Sequence, residues 1–121
     1  MRRLTLSVAA LLLCFAVALA VAEDKKPEPA KKLDGKELFK VNCKSCHGAK
    51  SAHGEYTPMT YIGEQWERFF DEKLVETHGA VVDSTRGAQP LLKLMTPDEL
   101  KEMRKFCVDH AADSEHPMTC G

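Results

Sequence analysis

The sequence predicts a small all-α domain, and three observations carry that expectation. Apolar residues recur at helical spacing in the second half of the chain, two helix-start signals are spelled out, and alternation of apolar and polar residues is nowhere sustained. The first element starts at Asp34, with Glu37 in capping-box register three residues on. Leu38, Phe39 and Asn42 then share one side of a short helix leading into Cys43. The second runs from Glu64 to about Thr77: Trp66, Phe69, Phe70, Leu74 and Thr77 form one stripe, with Glu67, Arg68, Asp71, Glu72 and Glu76 between them. The third opens on Thr96-Pro97-Asp98-Glu99, which supplies an N-cap, a proline at the first helical position and a capping-box Glu, while Met95 and Leu100 make a hydrophobic staple. It runs to about Ala112 and buries Leu100, Met103, Phe106 and Cys107.

The N-terminus reads as a targeting segment. MRRLTLSVAALLLCFAVALAVAED begins with two arginines, continues through an apolar run from about Leu4 to Val21, and offers Ala20-Val21-Ala22 as a small-x-small cleavage site. Residues 1–22 are therefore expected to be a secretory signal peptide, with Cys14 part of its apolar core. The alternative is an uncleaved anchor facing the periplasm, the one way this chain would meet a membrane, since a run on the order of 18 residues reaches the minimum for a spanning helix. Removing Arg2 and Arg3 takes the formal charge from −1 to about −3. Mild acidity without a basic stripe argues against nucleic-acid binding. Residues 23–33, charged and carrying Pro27 and Pro29, read as a flexible leader, and residues 34–121 as one domain. Its connections, roughly residues 48–63 and 79–95, are long, and loops of that length need something to pack on; a flat apolar cofactor would serve.

Cys43-Lys44-Ser45-Cys46-His47 is the chemistry-bearing stretch. Two cysteines three apart project from one helical turn and can each add across a vinyl group of a porphyrin, while the next residue reaches the iron; C-x-x-C-H is the c-type haem attachment signature. Secretion agrees, because such attachment takes place outside the cytoplasm. A zinc site would need a second ligand pair from Cys107 with Cys120, His110 or His116, at a spacing unlike a zinc knuckle. A redox dithiol belongs after a strand in a βαβ unit, and none is apparent.

At this point the residues resemble a family. Gly35 and Phe39, at i and i+4 in a helix running into Cys43-Lys44-Ser45-Cys46-His47-Gly48, a following proline at Pro58 and a last helix carrying Phe106 look like a small monohaem cytochrome c of the class I type, over most of residues 34–110. The resemblance implies a helical domain wrapped around one covalent haem c, held by Cys43 and Cys46 with His47 as proximal ligand. It also implies crossed terminal helices in which Gly35 admits close approach to the aromatic, and a Pro58 carbonyl turned to the proximal histidine. It implies transfer of single electrons between a redox protein donor and acceptor, without enzymatic conversion of a substrate.

The sixth iron ligand departs from the family pattern. Where a Met-Pro pair is usual, this chain has Gln89-Pro90. Met59 is read as packing, Met103 as core, His53 as surface and His110 as surface or core. His78, at the end of the second helix, is taken as the sixth ligand, with Met118 in the tail and Met95 before the last helix as alternatives. A labile sixth position would instead make the protein a haem-based sensor or small-ligand binder, and loss of the haem reading would return the motif to a zinc-stabilised structural module. Cys107 and Cys120 remain, and two cysteines in an oxidising compartment more often pair than stay free. Closing that loop would contribute roughly 3 kcal/mol by the chain-entropy model.

Overall fold

A computed structural model describes residues 32–119. The predicted signal peptide, the leader up to residue 31, and Cys120 lie outside the described residues.

Helix α1, Gly35–Phe39, starts where the sequence places it: the Asp34 carboxylate accepts the Glu37 backbone N–H at 2.9 Å. Only half of a capping box forms, because the Glu37 carboxylate turns to Lys40. The chain then passes into a π-helical turn, Lys40–Lys44, which carries it into the Cys43–His47 motif. Helix α2, Gly63–Arg68, has Gln65 reaching back to the Ile62 N–H at 3.1 Å, the second half of a capping box. It continues through a second π-helical turn, Phe69–Lys73, into α3, Leu74–His78. The single amphipathic helix expected over 64–77 is thus one continuous stretch with a wide turn in its middle. Helix α4, Pro97–Asp109, has the full reciprocal box: the Thr96 hydroxyl accepts the Glu99 N–H and the Glu99 carboxylate accepts the Thr96 N–H. It ends before the expected Ala112, because the Ala112 N–H is taken by the Tyr61 carbonyl at 3.0 Å and the Met118 N–H returns to the His110 carbonyl at 3.2 Å.

The core forms where α1 meets α4. A Cβ on Gly35 would lie 2.5 Å from the Glu102 carbonyl oxygen and 2.5 Å from the Phe106 Cβ, so the two backbones approach as closely as only glycine allows. This is the crossing that Gly35 and Phe106 imply. Phe39, fully buried, lies 6.0 Å from the Phe106 ring and 6.3 Å from Trp66. Arg104 on α4 pairs with Asp71 at 3.0 Å, tying that helix to the second π turn.

The long connection after α3 contains a feature that an all-helical reading did not anticipate. Val82–Asp83 (β1) and Gln89–Pro90 (β2) pair antiparallel, Val82 opposite Pro90 and Asp83 opposite Gln89. Two residues per strand are too few to show alternation. What builds the hairpin is Asp83, only 6% exposed, whose carboxylate accepts from the Thr85 N–H and hydroxyl and from the Arg86 N–H and guanidinium. Gly87 and Ala88, at φ of 74° and 53°, then reverse the chain. No helix among the described residues is long and apolar enough to cross a membrane.

Candidate cofactor site

Between these elements lies a cavity of about 590 Å³. Its walls are largely apolar and aromatic, with Phe39, Trp66, Phe69, Phe70 and Leu91 among them; Cys43, Cys46, His47, His78, Met95 and Met103 also reach it. The size falls within the ~300–1,000 Å³ usual for cofactor sites.

The motif occupies one edge. Cys43 packs with its Sγ 3.7 Å from the Met103 Sδ, while Cys46 is exposed. Burial, and secondarily the neighbouring Cys46, pushes the Cys43 thiol up to about 12. Among the described residues no three His, Cys, Asp or Glu side chains cluster in a way that could hold a metal ion by themselves.

His47 is held by a turn of the following loop. Its Nδ1 lies 3.1 Å from both the His53 and Gly54 carbonyl oxygens. Carbonyls only accept, so Nδ1 carries the proton and Nε2 keeps its lone pair, the usual arrangement of a metal-binding histidine. Gly54, at φ 82°, makes the turn possible. The expected partner was the Pro58 carbonyl, and here the structure corrects the reading: that carbonyl accepts the Trp66 indole N–H at 2.7 Å. A buried indole needs an acceptor, and Pro58 sits beneath it. The signal for the actual partners was the glycine-containing turn at His53-Gly54.

His78 projects from the last turn of α3 into the same cavity. Its ring centroid is 6.1 Å from that of His47, with 65° between the ring planes, too twisted for stacking. Burial, and secondarily the nearby His47, lowers its pKa from the ordinary histidine value against a smaller opposing pull from the Leu74 carbonyl. Its Nδ1 is engaged by Thr77, and no described residue hydrogen-bonds to Nε2 of either histidine.

The other sequence-predicted residues are distributed differently. Met95 is buried and borders the cavity. Met118 packs against the core away from the cavity lining. Met103 is core as expected, but Met59, expected to pack, is 39% exposed. Cys107 is fully buried; its expected bond to Cys120 lies outside the described residues.

A thiol pair and an imidazole along one edge, and apolar walls around a cavity large enough for a flat ring, fit a covalently attached porphyrin. The fold and site define a helical haem-attachment domain. A cytochrome c family model matches residues 33–106, more than half of the chain, and the protein belongs to that family. Membership brings a haem c joined through the C-x-x-C-H motif, haem-based electron transfer and redox protein partners. Neither curated proteins nor solved structures gave a match.

Proposed function

We infer that this protein is a periplasmic monohaem electron carrier whose haem is joined to Cys43 and Cys46 and ligated axially by His47 and His78. Residues 1–22 direct it out of the cytoplasm, residues 23–33 form a leader, and residues 34–121 form the haem domain. The signal-peptide pattern and the extracytoplasmic setting of haem attachment support the location.

The observation that carries the axial assignment is the 6.1 Å between the His47 and His78 ring centroids. Two imidazoles that share a metal ion from opposite sides sit roughly 6 Å apart, because two metal–nitrogen bonds of about 2 Å each are added to the two ring radii. A haem bound there supplies a one-electron couple. The chain's own residues do the rest: His53 and Gly54 orient His47, and the aromatic walls give a flat ring an apolar surface to pack on. Two nitrogen ligands favour a lower potential than a methionine would, which selects lower-potential partners.

Production with a haem-attachment pathway tests the reading. The chain should appear in the periplasm, processed after Ala22, and retain its haem through denaturation. His47→Ala should abolish the normal low-spin spectrum; an unchanged spectrum would overturn the assignment. Rapid carbon monoxide binding by the reduced wild-type protein would move the function to that of a small-ligand binder.

A further inference from the structure

The polar atom held against His78 is the Thr77 hydroxyl, 2.7 Å from the His78 Nδ1. The same hydroxyl lies 2.7 Å from the Lys73 carbonyl oxygen, at the junction of the second π turn with α3. A hydroxyl has one proton to give, and the carbonyl can only accept. The proton therefore goes to Lys73, and toward His78 the Thr77 oxygen is an acceptor. Nδ1 must carry a proton to meet it, which leaves the Nε2 lone pair directed away from the helix. A hydroxyl that is already donating is also a better acceptor, because hydrogen bonds in a chain polarise one another.

We propose that Thr77 is the positioning residue for the sixth ligand: through the Lys73 carbonyl, Thr77 hydroxyl and His78 Nδ1–H chain it fixes the tautomer and ring orientation of His78, raises its basicity and thereby lowers the reduction potential. The inference rests on His78 being a ligand. The two axial histidines are then held unequally. His47 donates to two carbonyls of a loop, whereas His78 meets the Thr77 hydroxyl, whose direction is set by the Lys73 carbonyl, with the Leu74 carbonyl beside it. The π turn contributes by placing Lys73 where its carbonyl receives that hydroxyl, in line with the frequent occurrence of such turns at functional sites.

The test compares Thr77→Val, Thr77→Ala and Thr77→Ser in the haem-loaded protein, reading the reduction potential and the rate of carbon monoxide binding to the reduced form. Thr77 is exposed, so neither acceptor-less variant opens a hole in the core. Loss of an outer-shell partner typically costs about 10- to 100-fold in metal affinity, taken here as weakening of the iron–His78 bond. Taking about 100-fold for the ferric state and about tenfold for the ferrous state, Val and Ala should each raise the potential by about 59 mV, the equivalent of a tenfold difference between the two states for one electron. Both should speed carbon monoxide binding about tenfold, and Ser, which keeps the hydroxyl, should restore both properties. Wild-type values in Val and Ala would overturn the proposal, as would a Ser variant that behaves like Val, since the methyl group and not the oxygen would then matter. His78→Ala separates the two levels. If it leaves the low-spin spectrum intact, His78 is not a ligand and both readings fall; if it abolishes that spectrum while Val and Ala match wild type, only the role of Thr77 falls.

Discussion

Gly35→Ala tests the packing that positions the motif. The new Cβ would sit 2.5 Å from the Glu102 carbonyl oxygen and from the Phe106 Cβ, where ordinary contact begins at 3.4 Å. One of the two obstructing atoms is backbone, so no side-chain rotation relieves the overlap, and α1 must withdraw from α4 by close to 1 Å. A gap of that order forfeits about a quarter to a half of each dispersion contact across it. Leu38, Phe39, Met103 and Phe106 are the buried side chains of these two helices that lose contact, each worth about 1.5–3 kcal/mol of burial. A quarter of that burial comes to about 1.5–3 kcal/mol, and the better helix propensity of alanine returns at most ~1 kcal/mol. The expected net loss is about 2 kcal/mol, equivalent to a fall in Tm of about 10–15 °C for a domain of this size. Thermal unfolding of the haem-loaded variant, followed by circular dichroism, measures it. A Tm within ~3 °C of wild type would refute the argument that the helices cross at van der Waals limits.

Further outcomes follow from the same contacts. Trp66→Phe removes the donor to the Pro58 carbonyl and should lower stability by about 1–3 kcal/mol in denaturant titration. The Asp83 carboxyl is lowered from 3.8 to about 2, first by the Thr85 hydroxyl and then by Arg86. The ionised form is the one the fold favours, so its stabilisation is complete above pH 3.8 and is lost as the pH falls toward 2; Asp83→Asn should flatten the denaturant midpoint against pH in that window. His78→Met should raise the reduction potential markedly, since a thioether opposite His47 favours the ferrous state; an unchanged potential in voltammetry would argue that position 78 does not touch the iron.

Much of this was legible in the sequence because it is written locally. The Thr96 to Glu99 box, the Asp34 cap and Cys43-Lys44-Ser45-Cys46-His47 each need only a few neighbouring residues to be recognised. The glycine at 35 and the aromatic at 106 announced the helix crossing through their resemblance to a family pattern, and the close approach is there. The π turns were not legible, because one wide turn scarcely disturbs the 3.6-residue stripe of Trp66, Phe69, Phe70 and Leu74. The Val82 to Pro90 hairpin is held by a single buried carboxylate, not by alternation. The partner of His47 was misassigned because the Pro58 carbonyl is taken by the indole of Trp66, while the His53-Gly54 turn offers His47 two carbonyls. Thr77 read only as part of a helical stripe; nothing in its spacing reveals that its hydroxyl faces the neighbouring imidazole.

The most direct test of the account is the visible and near-infrared spectrum of the ferric and ferrous haem-loaded protein. His47 and His78 as the axial pair predict sharp low-spin haem c bands with no methionine-to-iron charge-transfer band at long wavelength. That band in the wild-type protein would contradict the assignment of His78 and transfer the position to Met95 or Met118. High-spin bands would contradict a closed electron carrier.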